Sequence, residues 1–139
     1  MTRARWAVVG AGAGGLATAA HLSRVGLRAV LINRSPDRIV KLLDDPRIHV
    51  EGLWHGPMPL EEATTDVSRV AGADVVIIAT PATAHRDLAR MLAGHLRPHH
   101  LVILHPGRTL GAVEFAAALH RAGVRVRAVA ETDTLLYTS

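Results

Sequence analysis

The sequence has 139 residues, 49% of them hydrophobic and only 3% aromatic, with a formal net charge of +4 and no cysteine. That is the size of one domain with a core of Ala, Val and Leu, and it excludes a disordered chain, a disulfide framework and a thiolate metal site. The arginines are dispersed, at 24, 28, 47, 69, 90, 97, 121 and elsewhere, with Lys41 the single lysine and neither a basic run nor interleaved aromatics, so no nucleic-acid surface is expected.

Arg3 and Arg5 ahead of an apolar stretch imitate a signal peptide, but glycines interrupt that stretch and cleavage near 17–20 would destroy the glycine turn described next. No run reaches the length of a membrane span, and a cytoplasmic location is expected. The apolar run Trp6 to Val9 reads as a strand, and the small-residue segment Ala13 to Val25 as a helix ended by Gly26. Ala29–Ile32 is a second strand. Ser35, Pro36 and Asp37 suit the N-cap and first turn of a helix running to about Leu43. Ile48 to Leu53 alternates like a strand, His55-Gly56-Pro57 reads as a turn, and Met58 to Ala63 as a returning strand. Asp66 caps a short helical turn ending at Gly72.

Val75–Ala79 is a continuous apolar run of the kind buried parallel strands show. The spacing then predicts a helix over 82–93, with Ala84, Leu88, Met91 and Leu92 on its apolar face, and a strand at Leu101–Leu104. A helix over 111–121, ended by Gly123, and a last strand Val124–Ala130 complete the chain. Strand–helix alternation of this kind predicts a three-layer α/β fold with a doubly wound, Rossmann-type parallel sheet. The whole of 1–139 reads as one dinucleotide-binding domain.

Between the first strand and helix, Gly10, Gly12 and Gly15 form a G-x-G-x-x-G, with Ala11 and Ala13 between them. Gly10 allows the tight turn, Gly12 admits a pyrophosphate against bare backbone, and Gly15 brings helix and strand together; the helix start faces the phosphates. The end of the second strand carries Asn33-Arg34-Ser35 where NAD and FAD sites usually place a carboxylate. Its absence removes repulsion against a 2′-phosphate, and Arg34 can pair with one, so NADP is favoured over NAD. The same residue disfavours FAD, the further alternative that the Ala-rich glycine turn raises.

Three later motifs follow strand ends: Pro81-Ala82-Thr83-Ala84-His85, then His105-Pro106-Gly107-Arg108-Thr109-Leu110-Gly111, then Ala130-Glu131-Thr132-Asp133-Thr134-Leu135-Leu136-Tyr137. Together with the glycine turn they resemble the N-terminal domain of the octopine/nopaline (opine) dehydrogenase family. The resemblance implies NAD(P)H-dependent reduction of an imine, formed from a 2-oxo acid and the amine of an amino acid. It places the nicotinamide near Thr80-Pro81 and the Pro106-Gly107 loop. It also implies a helical C-terminal domain bearing the catalytic His and its Asp partner, which 1–139 does not contain, so a small-molecule substrate and a missing helical domain or subunit are the expected partners.

No catalytic constellation stands out. His85, one turn into its helix, either meets substrate or nicotinamide or packs locally; Glu131 is either a cleft acid or a solvated loop acid; His105 has a weaker claim. His95, His99 and His100 read as a surface loop rather than a metal site, because Pro98 breaks the helical spacing and no carboxylate joins them. The apolar tail Leu135, Leu136 and Tyr137 reads as a surface for a second domain or for self-association. The alternative to an oxidoreductase domain is a stand-alone module that binds NADPH for regulation.

Overall fold

The structure is a computed structural model that describes residues 3–137; the two outermost residues at each end of the expected domain lie outside it. Eight strands and four α-helices follow in order: β1 (Trp6–Val9), α1 (Ala13–Arg24), β2 (Ala29–Ile32), α2 (Val40–Asp44), β3 (Arg47–Val50), β4 (Gly56–Pro59), β5 (Glu62–Thr64), β6 (Val75–Ile78), α3 (His85–Leu92), β7 (Leu101–Leu104), α4 (Gly111–Arg121) and β8 (Ala128–Glu131). Six strands form one sheet in the order β5-β2-β1-β6-β7-β8, every pair parallel. The strand order turns outward in both directions from β1, the doubly wound pattern the alternation predicts.

Each strand alternates its side chains between two apolar layers. Ala7, Val9, Ile32, Ile78 and Leu104 face α3 and α4, where Leu92, Phe115 and Leu119 are buried with them. Val8, Leu31 and Ile77 point the other way, onto Ala19 and Leu22 of α1 and onto Ile39 and Leu60. The period-two alternation of strands buried on both faces thus fixes three layers.

Several element boundaries differ from the sequence expectations, among them the strand read from Ile48 to Leu53, which is β3 at Arg47–Val50. The helix expected from Pro36 to Leu43 is a 3₁₀ turn at Pro36–Arg38 followed by α2, and the Ser35 side chain caps neither. Ile39, fully buried between them with φ −121°, leaves helical geometry to reach the core. The expected strand Met58 to Ala63 is two strands. β4 pairs antiparallel with β3, outside the main sheet, whereas β5 joins the edge of β2. Pro57 and Pro59 lack the N–H that a place within the main ladder would require, and β4 begins at Gly56, inside the expected turn. Helix 82–93 opens as a 3₁₀ turn at Ala82–Ala84. The last strand starts at Ala128 rather than Val124, because Ala128 is already opposite Leu101, the first residue of β7. Asp66 does cap its 3₁₀ turn, Val67–Gly72, accepting the Ser68 N–H at 3.0 Å. No helix among the described residues is long and apolar enough to cross a membrane.

Candidate functional site

The first crossover, β1 to α1, is made by Gly10-Ala11-Gly12, and the three glycines of the motif meet different surroundings. Gly10 has φ +109°, and a Cβ there would stand 2.5 Å from the Ala79 carbonyl oxygen and 2.8 Å from Thr80 Cγ2. A Cβ on Gly15 would run into the Gly10 carbonyl. Both are therefore required by the packing of the turn against β6 and against α1. Gly12 is different. Its φ is an ordinary −76°, and the sole atom near its missing Cβ is Arg38 Nη1, 3.8 Å away. A Cβ at Gly12 would meet nothing closer than that ordinary contact.

The space over Gly12 belongs to a cavity of about 520 Å³ where the ends of β1, β2 and β6 converge. Gly10, Ala11 and Gly12 form its floor; Asn33, Arg34, Ser35 and Arg38 its β2 side; Thr80, Pro81 and Thr83 its β6 side; Asp87, Leu88 and Met91 of α3 close it. Its position is the point where strand order reverses, at the carboxyl ends of parallel strands, the place such sheets reserve for ligands. No acidic residue lies in the first turn of α1, whose leading N–H groups have no intrahelical partner and carry the positive end of the helix dipole. Thr80 Oγ1 is shielded from solvent and without a hydrogen-bond partner among the described residues. An anion-bearing ligand fits this donor set: a bare-backbone floor, a helix start, an orphaned hydroxyl and two arginines, Arg34 and Arg38, that enter no ion pair among the described residues. The one carboxylate of the lining, Asp87, has Arg90 Nη1 at 3.7 Å.

The sequence-selected residues divide. Gly10, Ala11, Gly12, Asn33, Arg34, Ser35, Thr80 and Pro81 come together in this cavity; Ala13, Gly15, Pro106 and Gly107 do not line it. Asn33 works as a brace: Oδ1 accepts the Ala11 N–H at 3.0 Å and Nδ2 donates to the Ser35 carbonyl at 2.8 Å, which ties the glycine turn to the end of β2. Gly107 donates its N–H to the Thr132 carbonyl at 3.1 Å and lies directly against Glu131. Glu131 accepts the Ala112 N–H at 2.6 Å, at the start of α4. His85 is 1% exposed and packed near Gly111, with neither ring nitrogen partnered among the described residues, and it is not part of the lining of this cavity.

Two other histidines are structural. His100, expected on a surface loop, is fully buried: Nδ1 accepts the Arg97 N–H at 2.7 Å and Nε2 donates to the Val70 carbonyl at 3.0 Å. Burial first, and His99 second, holds its pKa below the usual imidazole value. His105 accepts the Leu136 N–H at Nε2, so its Nδ1–H donates to Thr132 Oγ1 at 2.7 Å; burial lowers its pKa as well. A second cavity, of about 430 Å³, lies between α1 and the β3–β4 segment, walled by Leu16, Ala20, Ile48, Trp54 and Tyr137, and holds none of the sequence-selected site residues.

Arg38, Thr83, Asp87 and Met91 are lining residues that the sequence did not single out. Arg38 had one signal, its place beside the apolar Ile39 just after the Ser35-Pro36 turn start.

A match to the ketopantoate reductase PanE/ApbA family extends over residues 6–124, from β1 to the segment before β8. The chain belongs to this family. The PanE/ApbA chain is also 34% identical, over 135 residues, to an opine dehydrogenase of Arthrobacter sp. (strain 1C), covering 96% of the chain and 38% of that relative. The likeness bears out the resemblance carried by the four motifs, and the chain spans under two fifths of that relative's length. Among solved structures, an octopine dehydrogenase with NADH and pyruvate superposes with a TM-score of 0.74 at 22% identity, over 89% of this chain and 34% of that one. A PanE/ApbA family ketopantoate reductase from Ralstonia eutropha JMP134 gives 0.70 at 25% identity, over 91% and 40%. The PanE/ApbA chain thus has the Rossmann-type fold of these neighbours.

Proposed function

We propose that the cavity at the glycine turn holds NADPH, and that the chain is the cofactor domain of an opine-dehydrogenase-like enzyme reducing an imine of a 2-oxo acid and an amino acid. The observation that carries the cofactor choice is the β2 rim. Asn33 stands where a ribose-binding carboxylate is usual and is used to brace the turn, and Arg34, exposed and in no ion pair among the described residues, follows it. Bound there, the nicotinamide supplies the hydride. The chain's own residues do the rest of the holding. The bare Gly12 and the amides of the α1 start would receive the pyrophosphate, Arg34 and Ser35 the 2′-phosphate, and Thr80 and Pro81 would position the nicotinamide end; the Pro106-Gly107 loop, outside the cavity lining, is given no part in holding it. Proton donation to the imine nitrogen is assigned to the helical region that the family resemblance implies. His85 is buried with both ring nitrogens out of reach of solvent, and Glu131 caps the start of α4 outside the cavity lining, so neither is given that role.

Parallel titrations test the reading. NADPH should bind more tightly than NADH, and Arg34→Ala should lose about 1–3 kcal/mol with NADPH and little with NADH, the range of a charge-assisted hydrogen bond. Coincident NADPH and NADH curves for the parent chain would refute the NADPH preference, and a yellow purified protein would favour a flavin in its place.

A further inference from the structure

The arginine that reaches furthest over the glycine turn is not the one at the end of β2. Arg38 closes the Pro36–Arg38 turn, and its neighbour Ile39 is fully buried, with its N–H bonded to the Pro36 carbonyl at 3.0 Å. The backbone of Arg38 is thereby anchored while its side chain stays exposed. From that anchor the guanidinium extends back across the cavity to bring Nη1 within 3.8 Å of where a Gly12 Cβ would stand. Among the described residues no carboxylate holds it there. Bare Gly12 and the α1 start are thus met by a planar, permanently charged fork at the same rim of the cavity.

We infer that Arg38 is a clamp for the dinucleotide's pyrophosphate, common to NADH and NADPH, and that discrimination between the two rests on the Arg34-Ser35 end of β2 and not on Arg38. The inference builds on the cofactor reading above. It follows from position and from chemistry. A guanidinium pairs two oxygens at once, which suits the paired non-bridging oxygens of a diphosphate better than a single terminal group. Arg38 lies over Gly12, the residue whose missing side chain leaves room for phosphate, whereas Arg34 follows the β2 end, next to the Asn33 brace and beyond the turn. An arm placed over the pyrophosphate path gains the same contact from either cofactor.

The test compares Arg38→Ala and Arg38→Gln with Arg34→Ala by equilibrium titration of four probes: NADH, NADPH, ADP and 2′-AMP. Both Arg38 variants should weaken NADH, NADPH and ADP by a common factor of about 10–100, as expected for losing a charge-assisted pair, and leave 2′-AMP unchanged. Arg34→Ala should show the complementary pattern, weakening NADPH and 2′-AMP. Arg38→Lys, which keeps the charge and loses the fork, should recover part of the affinity. A loss confined to NADPH and 2′-AMP, or no loss, in both Arg38 variants would overturn the clamp while leaving the cofactor site in place. Failure of the parent chain to bind either dinucleotide would overturn the proposed function and the clamp together.

Discussion

The three motif glycines carry unequal burdens, and substitution should separate them. Gly12 has an unstrained φ and only an ordinary contact, 3.8 Å to the flexible Arg38 side chain, where a Cβ would go, so Gly12→Val should unfold cooperatively within about 1 kcal/mol of the parent while losing dinucleotide binding. Gly15 has no such room, since a Cβ would meet the Gly10 carbonyl and force β1 and α1 apart. Gly15→Ala should lose about 1–3 kcal/mol or more, the cost of overpacking against a backbone neighbour that cannot move aside. Denaturant unfolding of both variants beside an NADPH titration measures the contrast. A Gly12→Val chain that still binds would place the phosphates elsewhere. Gly12 and Gly15 are equally plain in the sequence, yet the difference between a ligand-facing and a packing glycine lies in what stands 3–4 Å away.

Helix α4 shows how an element's start can be completed from a distant strand. Leu110, its N-cap, is left-handed at φ +59° and offers no polar side chain; Glu131 on β8 supplies the acceptor, bonded to the Ala112 N–H at 2.6 Å. Glu131→Ala should therefore destabilise the fold by about 1 kcal/mol, the usual loss for an N-terminal cap, with Glu131→Gln retaining most of it. Equal unfolding midpoints for Glu131→Ala and the parent would remove the cap assignment. The helix itself, 111–121, was legible to the residue from its flanking glycines and apolar spacing. Its partner on β8 was not, because Ala112 and Glu131 are 19 residues apart and no local pattern couples them. The same limit applies to Met58 to Ala63, where apolar alternation announced strand but could not divide it between two sheets.

The molecule as a whole is tied by two buried imidazoles, and this gives its stability a pH dependence. His100 joins the segment after α3 to Val70, and His105 joins the end of β7 to the tail at Thr132 and Leu136. Each accepts a backbone N–H through one ring nitrogen, an arrangement only the neutral ring can make. Both folded-state pKa values lie below the ordinary 6.5, so on acidification the unfolded chain takes up protons first. Their contribution is complete above pH 6.5 and is lost as the pH falls from there toward the lowered folded values. Denaturation midpoints should drop between pH 7.5 and pH 5.5, with a shallower drop in His100→Gln. Midpoints that coincide in the parent would contradict the assignment. The tail that His105 holds also sets Leu135 against Gly14 and the Tyr137 hydroxyl 2.6 Å from His21 Nδ1, so part of the apolar end read as a free surface is packed onto α1.

The alternation of apolar runs with small-residue helices was enough to specify a parallel, doubly wound sheet, and the spacing of Gly10, Gly12 and Gly15 was enough to locate its first crossover. Both depend on local rules: strand period, helix period, and backbone angles that only glycine takes up readily. The side-chain assignments at the β2 rim depend on contacts between segments far apart in the chain. Asn33 is spent on the Ala11 amide, and Arg38 reaches over Gly12 because a buried Ile39 fixes where its backbone sits. A sequence shows which arginines are available to a phosphate. Packing of the core decides which one stands over it.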